Sequence, residues 1–167
     1  MDGGLHLTVS ETDWAKSVWG KLYGQWLCGS AIMCYDFDKF VPRDMLKILT
    51  DYQVTTFCAP PTIYRFMMLE HMDGIDLSGL HHCSVAGEPL SPEVFDGWHK
   101  LTNLHLREGF GQTELCVVVG TFPWMKSIPG SMGKPSPQFD VDIVDEDGKS
   151  VGAGVVGEIV VRTKKKQ

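Results

Sequence analysis

Short apolar segments alternate with helix-forming segments over the first 127 residues, and this alternation constrains the fold most. Apolar residues at helical spacing predict helices at residues 14–28 and after Pro42, Pro61 and Ser91. Apolar and β-branched runs predict strands at residues 31–35, 54–58, 82–86 and 104–106. Strands that alternate with helices pair in parallel, because each helix carries the chain back along the sheet. The predicted fold class is therefore α/β, with a parallel sheet flanked by helices.

The pattern changes near Ile128. Residues 139–144 and 158–161 predict two more strands, and Asp147-Gly148 between them is a turn signal of antiparallel hairpins. We expect an α/β subdomain at residues 1–127, followed by the truncated beginning of an antiparallel β-barrel-like subdomain at residues 128–167. The lysine run at residues 164–166 is expected to be solvated.

Charge and composition exclude some classes of function. The net charge of -6 argues against nucleic-acid partners, which need a basic surface. No apolar stretch approaches the roughly 18 residues of a membrane span, and the N-terminus does not resemble a secretory signal. The 5 cysteines lack a CxxC pair and have apolar neighbours, so we expect buried, reduced thiols in a cytoplasmic protein.

A glycine-rich segment, residues 108–114, follows the last strand predicted before residue 128. Carboxyl ends of parallel strands are where ligands bind in open α/β sheets. Its two glycines allow close approach to a ligand, and Phe110 offers an aromatic face. Thr113 contributes a hydroxyl, and Glu114 a carboxylate suited to Mg²⁺. These groups suit a nucleoside triphosphate, although a glycine-rich turn with a capping threonine remains the alternative.

Residues 84–90 form a second such segment, again at a strand end and before a helix. Gly87 and Glu88 would converge with the first segment on one crevice of the sheet. The alternative is an ordinary strand-to-helix turn closed by the Ser91 N-cap.

Together these segments resemble the AMP-forming acyl-CoA synthetases, and in particular their medium-chain branch. The resemblance rests on GLHLTV, WAKSVWGKLYGQW, YDFDKFVP, VTTFCAPPTIYRF, AGEPLSPEVF, EGFGQTE, GTFPWM, PGSMGKP and GEIVVRT, which follow the order of that family. It covers essentially the whole chain.

The resemblance implies a nucleotide site. It places Phe110 against adenine, Thr113 at the phosphates and Glu114 at Mg²⁺, with Thr113 and Glu114 as the catalytic residues. Trp14 would lie near the acyl pocket, although a tryptophan in the hydrophobic core is equally compatible with its helix. The implied nucleotide-binding residues are Gly87, Glu88, Pro89, Glu108, Gly109, Phe110, Gly111, Gln112 and Thr113.

The implied reaction joins a carboxylic acid, of the medium-chain fatty type, to CoA. The acid attacks ATP to form an acyl-adenylate and pyrophosphate, and the CoA thiolate then displaces AMP. A carboxylate is a poor electrophile at neutral pH, so the protein chiefly positions the reactants and neutralises charge. ATP, AMP, Mg²⁺, CoA and the acid are the implied cofactors and partners.

The sequence also departs from the family pattern. Residues 11–14 are Glu-Thr-Asp-Trp where the family has Asp-x-Gly-Trp. The Ser/Thr/Gly-rich phosphate loop, the later Thr-Gly-Asp segment and the domain with the catalytic lysine have no counterpart in the 167 residues. We therefore expect an internal fragment that is inactive alone and self-associates through an exposed apolar face. The alternatives are an inactive remnant that at most binds nucleotide, and a ligase that serves a carrier-protein thiol.

Overall fold

The computed structural model describes residues 4–163. Its main element is a seven-stranded sheet. The predicted lysine run at residues 164–166 lies outside these residues. Strands β1 to β5 are parallel in the order β2-β1-β3-β4-β5, and β6 and β7 continue the sheet in antiparallel pairing. Their bounds are β1 Leu5–Thr8, β2 Ala31–Met33, β3 Thr56–Ala59, β4 His82–Ala86, β5 Arg107–Phe110, β6 Val119–Gly120 and β7 Lys134–Pro135.

A separate antiparallel pair follows the main sheet. It consists of β8, Asp140–Val144, and β9, Glu158–Arg162, with Ile143 opposite Ile159. The predicted α/β fold class, with a parallel sheet followed by an antiparallel unit, is confirmed. The division near residue 128 stays a prediction, although β7 still pairs within the larger sheet.

Prolines start three of the helices. Pro42, Pro61 and Pro92 each occupy the first position, where the missing N–H costs no hydrogen bond. The helical segments are a π-helix, Lys16–Tyr23, then α1 Gly24–Leu27, α2 Pro42–Asp51, α3 Pro61–Met67 and α4 Pro92–Thr102. In the described part of the chain, no helix combines the length and hydropathy that crossing a bilayer requires.

The hydrophobic core lies on one face of the sheet, under α2, α3 and α4. Side chains alternate along β3 and β4, so Phe57 and Val85 are buried in this core. Tyr64 and Trp98 pack edge to face in it, with ring centroids 4.7 Å apart. The opposite face carries a polar row in register, with Thr8, Cys58, Ser84 and Arg107 on neighbouring strands. The polar face is therefore available to a site, whereas the apolar face holds the fold together.

Three local predictions need correction. The helix at residues 14–28 is mostly a π-helix, because apolar residues spaced by four do not distinguish α from π geometry over two turns. The strand expected at residues 104–106 begins instead at Arg107, after the left-handed Asn103 ends α4. Cys28, Cys34 and Cys116 are exposed, so apolar neighbours in sequence did not secure their burial.

Candidate functional site

One cavity of about 930 Å³ lies at the carboxyl ends of β4 and β5. This volume is within the range of small-molecule sites. The cavity brings together every predicted site residue, and the contact each makes with a ligand stays a prediction. These lining residues are Trp14, Gly87, Glu88, Pro89, Glu108, Gly109, Phe110, Gly111, Gln112, Thr113 and Glu114.

Gly87 sets the shape of one wall. Its φ of +96° is strained for other residues, and a Cβ there would lie 3.5 Å from the Trp14 ring. Trp14 is 48% exposed, which excludes the alternative of a core tryptophan. The Trp14 ring therefore borders the cavity directly beside the loop after β4.

The glycine-rich segment forms the facing wall. A Cβ on Gly111 would lie 2.6 Å from the Leu115 carbonyl oxygen, so only glycine fits there. The turn closes through the Gln112 N–H, which donates to the Leu115 carbonyl at 3.0 Å, and through the reciprocal bond at 3.1 Å. Thr113 and Glu114 are exposed at its tip. Within residues 4–163 the Thr113 side chain makes no hydrogen bond, which disfavours the alternative of a capping threonine.

Two carboxylates of the predicted site accept hydrogen bonds from other residues of the chain. Glu88 accepts a hydrogen bond from the Thr62 hydroxyl at 2.6 Å. Glu108 is buried and accepts from the Leu90 N–H at 3.3 Å. Burial raises the pKa of Glu108, and the Leu90 hydrogen bond partly opposes that rise.

Lys16 borders the cavity and was missed from the sequence. Its ammonium donates to the Ala86 carbonyl at 3.0 Å and lies 5.7 Å from the centroid of the Trp14 ring. Burial lowers the pKa of Lys16, and the nearby Cys58 and Glu88 partly counter that effect. Its position two residues after Trp14 was the available signal, since Trp14 lies just before the helical segment that begins at Lys16.

Arg107 was also missed. Its guanidinium donates to the carbonyl oxygens of Phe122 at 2.7 Å, Met125 at 3.1 Å and Pro123 at 3.2 Å. These bonds hold the segment after β6 against the cavity. The only signal in the sequence was its place immediately before Glu108, because its partners lie 15 to 18 positions away.

The residues suit a metal ion that is shared with a phosphate ligand. No group of three metal-ligating side chains occurs among the described residues, so they offer no all-protein cage. Glu114 presents an exposed carboxylate to the cavity and pairs with no lysine or arginine of residues 4–163. Mg²⁺ commonly takes one or two protein carboxylates and completes its shell with water and phosphate oxygens. One carboxylate beside a nucleotide site fits this coordination preference of Mg²⁺.

Comparison with known proteins gives a family match over nearly the whole chain. A sequence profile described as AMP-binding enzyme matches residues 7–165. Mouse acyl-coenzyme A synthetase ACSM3 is 41% identical over 154 residues, which cover 92% of this chain and 27% of that enzyme. Human acyl-coenzyme A synthetase ACSM4 is 38% identical over 156 residues, covering 93% of the chain and 27% of the enzyme. The chain thus spans about a quarter of the length of these relatives.

A solved structure agrees with this match. The anthranilate CoA ligase AuaEII in complex with anthranoyl-AMP superposes with a TM-score of 0.87 and 25% identity. The superposition covers 98% of this chain and 32% of that one. The predicted relationship to the acyl-CoA synthetases is confirmed.

The predicted cytoplasmic location is wrong. ACSM3 and ACSM4 are mitochondrial enzymes, so these relatives point to the mitochondrion. Free cysteines are equally compatible with either compartment, so they do not indicate the cytoplasm.

Proposed function

The chain belongs to the AMP-binding enzyme family, and from this premise we propose that it forms part of the ATP site of an acid–CoA ligase. One observation carries the proposal: the loops after β4 and β5, distant in sequence, border one cavity together with Trp14. The related synthetases match over more than nine tenths of the chain, including both loops. Because the chain spans only part of those relatives, the complete reaction is an inference about the whole protein.

The reaction proceeds in two displacements. A carboxylate oxygen of the acid attacks the α-phosphorus of ATP, the bond to the β-phosphate oxygen breaks, and pyrophosphate leaves. The CoA thiolate then attacks the acyl carbon, and AMP leaves with the bonding electron pair. Phe110 stacks on adenine in this scheme, residues 87–89 border the adenine and ribose, and Thr113 donates to a phosphate oxygen. The protein contributes mainly orientation and charge neutralisation.

Glu114 is the residue that would hold Mg²⁺, with the phosphates completing the coordination shell. The metal, when bound, neutralises charge on the triphosphate and on the departing pyrophosphate. The exposed carboxylate of Glu114 at the tip of the glycine-rich turn supports this assignment.

The acid enters on the side of Trp14. The Trp14 ring gives that part of the cavity an apolar surface, which suits an alkyl chain. We assign a medium-chain fatty acid as the substrate, as the resemblance of the sequence motifs implies, and the mitochondrion as the location, following the ACSM relatives.

The test uses the protein purified at its natural length. It is incubated with ATP, Mg²⁺, CoA and a series of straight-chain acids, and pyrophosphate and acyl-CoA are measured. We expect both products in equal amounts, with a maximum at medium chain length. ATP hydrolysis to ADP and phosphate, or no acid-dependent pyrophosphate, would overturn the proposal.

The 167 residues in isolation should behave differently. They contain no Ser/Thr/Gly-rich phosphate loop ending in Pro-Lys, so we expect no sustained thioester formation from them alone. ATP binding by this isolated chain, without turnover, would match the alternative of a unit that only binds nucleotide. Sustained acyl-CoA formation would contradict the expectation.

A further inference from the structure

Two carboxylates link the start of α3, the loop after β4 and strand β5 at the cavity. Glu88, in the loop after β4, accepts hydrogen bonds from the Thr62 hydroxyl at 2.6 Å and the Thr62 N–H at 3.3 Å. Thr62 is the second residue of α3, which directly follows β3. Glu108, on β5, accepts from the Leu90 N–H at 3.3 Å in the loop after β4. The start of α3 is thus bonded to a carboxylate of the loop after β4, and that loop is bonded to a carboxylate on β5.

The bond to Thr62 replaces a missing helix cap. The N-cap position of α3 is Pro60, whose side chain makes no capping hydrogen bond, and Pro61 has no N–H. The Thr62 N–H is therefore the first free donor of α3, and it needs an acceptor from outside the helix. Glu88 provides that acceptor from 26 positions away, and the hydroxyl donates to the same oxygen. The side chain of Glu88 is committed to α3 by two donors.

The second bond is buried. Leu90 is 7% exposed and Glu108 is 8% exposed, so the Leu90 N–H has little access to water. A buried donor without a partner is costly, which makes the Glu108 carboxylate a strong constraint on Leu90. Leu90 immediately precedes Ser91, the N-cap of α4. Glu108 therefore fixes the point at which the loop after β4 enters α4.

We propose that Glu88 and Glu108 are positioning residues, whose side chains fasten the loop at residues 87–90 instead of contacting the nucleotide. The loop is held at one end through Thr62 and at the other through Leu90. Its backbone at Gly87 and Pro89 is then left to border the cavity. The inference rests on the proposed ATP site. It adds that these two carboxylates position the loop that borders the adenine and ribose.

A double-mutant cycle between Thr62 and Glu88 tests this role in the protein at its natural length. Thr62→Val removes the hydroxyl and keeps the shape, and it should raise the KM for ATP about fivefold with kcat nearly unchanged. Thr62→Ser restores the hydroxyl and should restore the KM. Glu88→Ala should raise the KM further, and adding Thr62→Val to Glu88→Ala should change nothing more. If Thr62 and Glu88 act independently on ATP binding, the two factors will multiply, and the proposal is wrong.

Amide hydrogen exchange provides a readout that does not depend on turnover. Thr62→Val and Glu88→Ala should each accelerate exchange about tenfold at the N–H groups of Gly87, Glu88 and Leu90. The matched control is Thr50→Val, which removes a hydroxyl that donates to the Leu46 carbonyl and accepts from the Asp76 N–H, and it should leave these residues unchanged. If the protein releases no pyrophosphate in response to the acid but the variants still exchange faster, the ligase function is rejected and the positioning role of Glu88 is retained. If exchange is unchanged in both variants, the positioning role is rejected, whatever the activity.

Discussion

Glu114 stands out among the cavity residues because its carboxylate is exposed and unpaired within the described chain. Glu114→Gln keeps the shape and removes the charge. The charge matters most as pyrophosphate departs, so the loss should fall on kcat for adenylate formation. We expect roughly a hundredfold decrease, corresponding to about 3 kcal/mol, with a small change in the KM for the acid. Steady-state pyrophosphate release measures both quantities.

Phe110→Ala is the control for that variant. Stacking acts on bound ATP in the ground and transition states alike, so this change should raise the KM for ATP and spare kcat. Synthetic acyl-adenylate should bypass the Glu114→Gln defect, because thioester formation starts after pyrophosphate has left. Normal pyrophosphate release by Glu114→Gln would make the carboxylate a structural group of the glycine-rich turn.

His6 predicts a pH dependence of stability. Its ring nitrogens bond the Thr56 and Thr8 hydroxyls at 2.6 Å each, and burial, then the charges of His82 and Lys21, lower its pKa from 6.5 to about 4. The unfolded state therefore binds a proton that the folded state excludes. The free energy of unfolding should be highest above pH 6.5 and should decrease towards pH 4, by at most about 3 kcal/mol.

The measurement is the free energy of unfolding in urea at neutral and acidic pH. His6→Asn should flatten this dependence, whereas His81→Asn, at an exposed position, should retain it. The lowered pKa of His82 acts in the same direction, so a residual slope is expected in His6→Asn. An unchanged slope in His6→Asn would show that His6 is not the titrating group.

Secondary structure elements were predictable where their signals are local. Prolines at the first helical position and the Ser91 cap mark α2, α3 and α4 within a few residues of their observed starts. The π-helix was not distinguishable, and β6 and β7 are only 2 residues each, too short for any periodicity. The position of β1 between β2 and β3 is set by long-range pairing, which a single sequence does not contain.

The same distinction between local and long-range signals applies to the candidate site. Both loops were predictable, because glycine-rich segments at strand ends are a local pattern. The hydrogen bond between Thr62 and Glu88 was not, since it joins residues 26 positions apart, and the sequence motif indicates a nucleotide contact for Glu88 instead. Contacts between loops decide which side chains remain free for a ligand.

The N-cap at the start of α4 predicts how substitutions of Ser91 change the stability of the fold. The Ser91 hydroxyl accepts a hydrogen bond from the Val94 N–H at 3.3 Å. Ser91→Ala removes the cap and should lower the free energy of unfolding by about 1 kcal/mol. Ser91→Asp should retain the stability, because aspartate caps equally well and its charge favours a helix N-terminus. Equal losses for Ala and Asp in urea unfolding would show that the cap does not stabilise α4.

At the scale of the whole molecule, apolar surface is distributed unevenly. The core lies under α2, α3 and α4, whereas the π-helix and α1 bury no residue fully. Trp26 is 60% exposed and Leu27 is 88% exposed, and the rings of Trp19 and Tyr23 lie beside each other at 5.9 Å. We call Trp19, Tyr23, Trp26 and Leu27 the aromatic face. Contiguous apolar surface of this kind usually marks a contact with other protein.

The aromatic face predicts self-association of the 167-residue chain. Burying it removes apolar area from water, and the net charge of -6 is too small to keep copies apart at physiological salt. The mean sedimentation coefficient should therefore rise with protein concentration. Trp26→Lys places a charge in the aromatic face and should restore a monomer, whereas Val156→Lys alters an apolar residue that is 96% exposed elsewhere and should not. A wild-type chain that stays monomeric at high concentration contradicts the prediction, and equal effects of the two variants would show that association does not use the aromatic face.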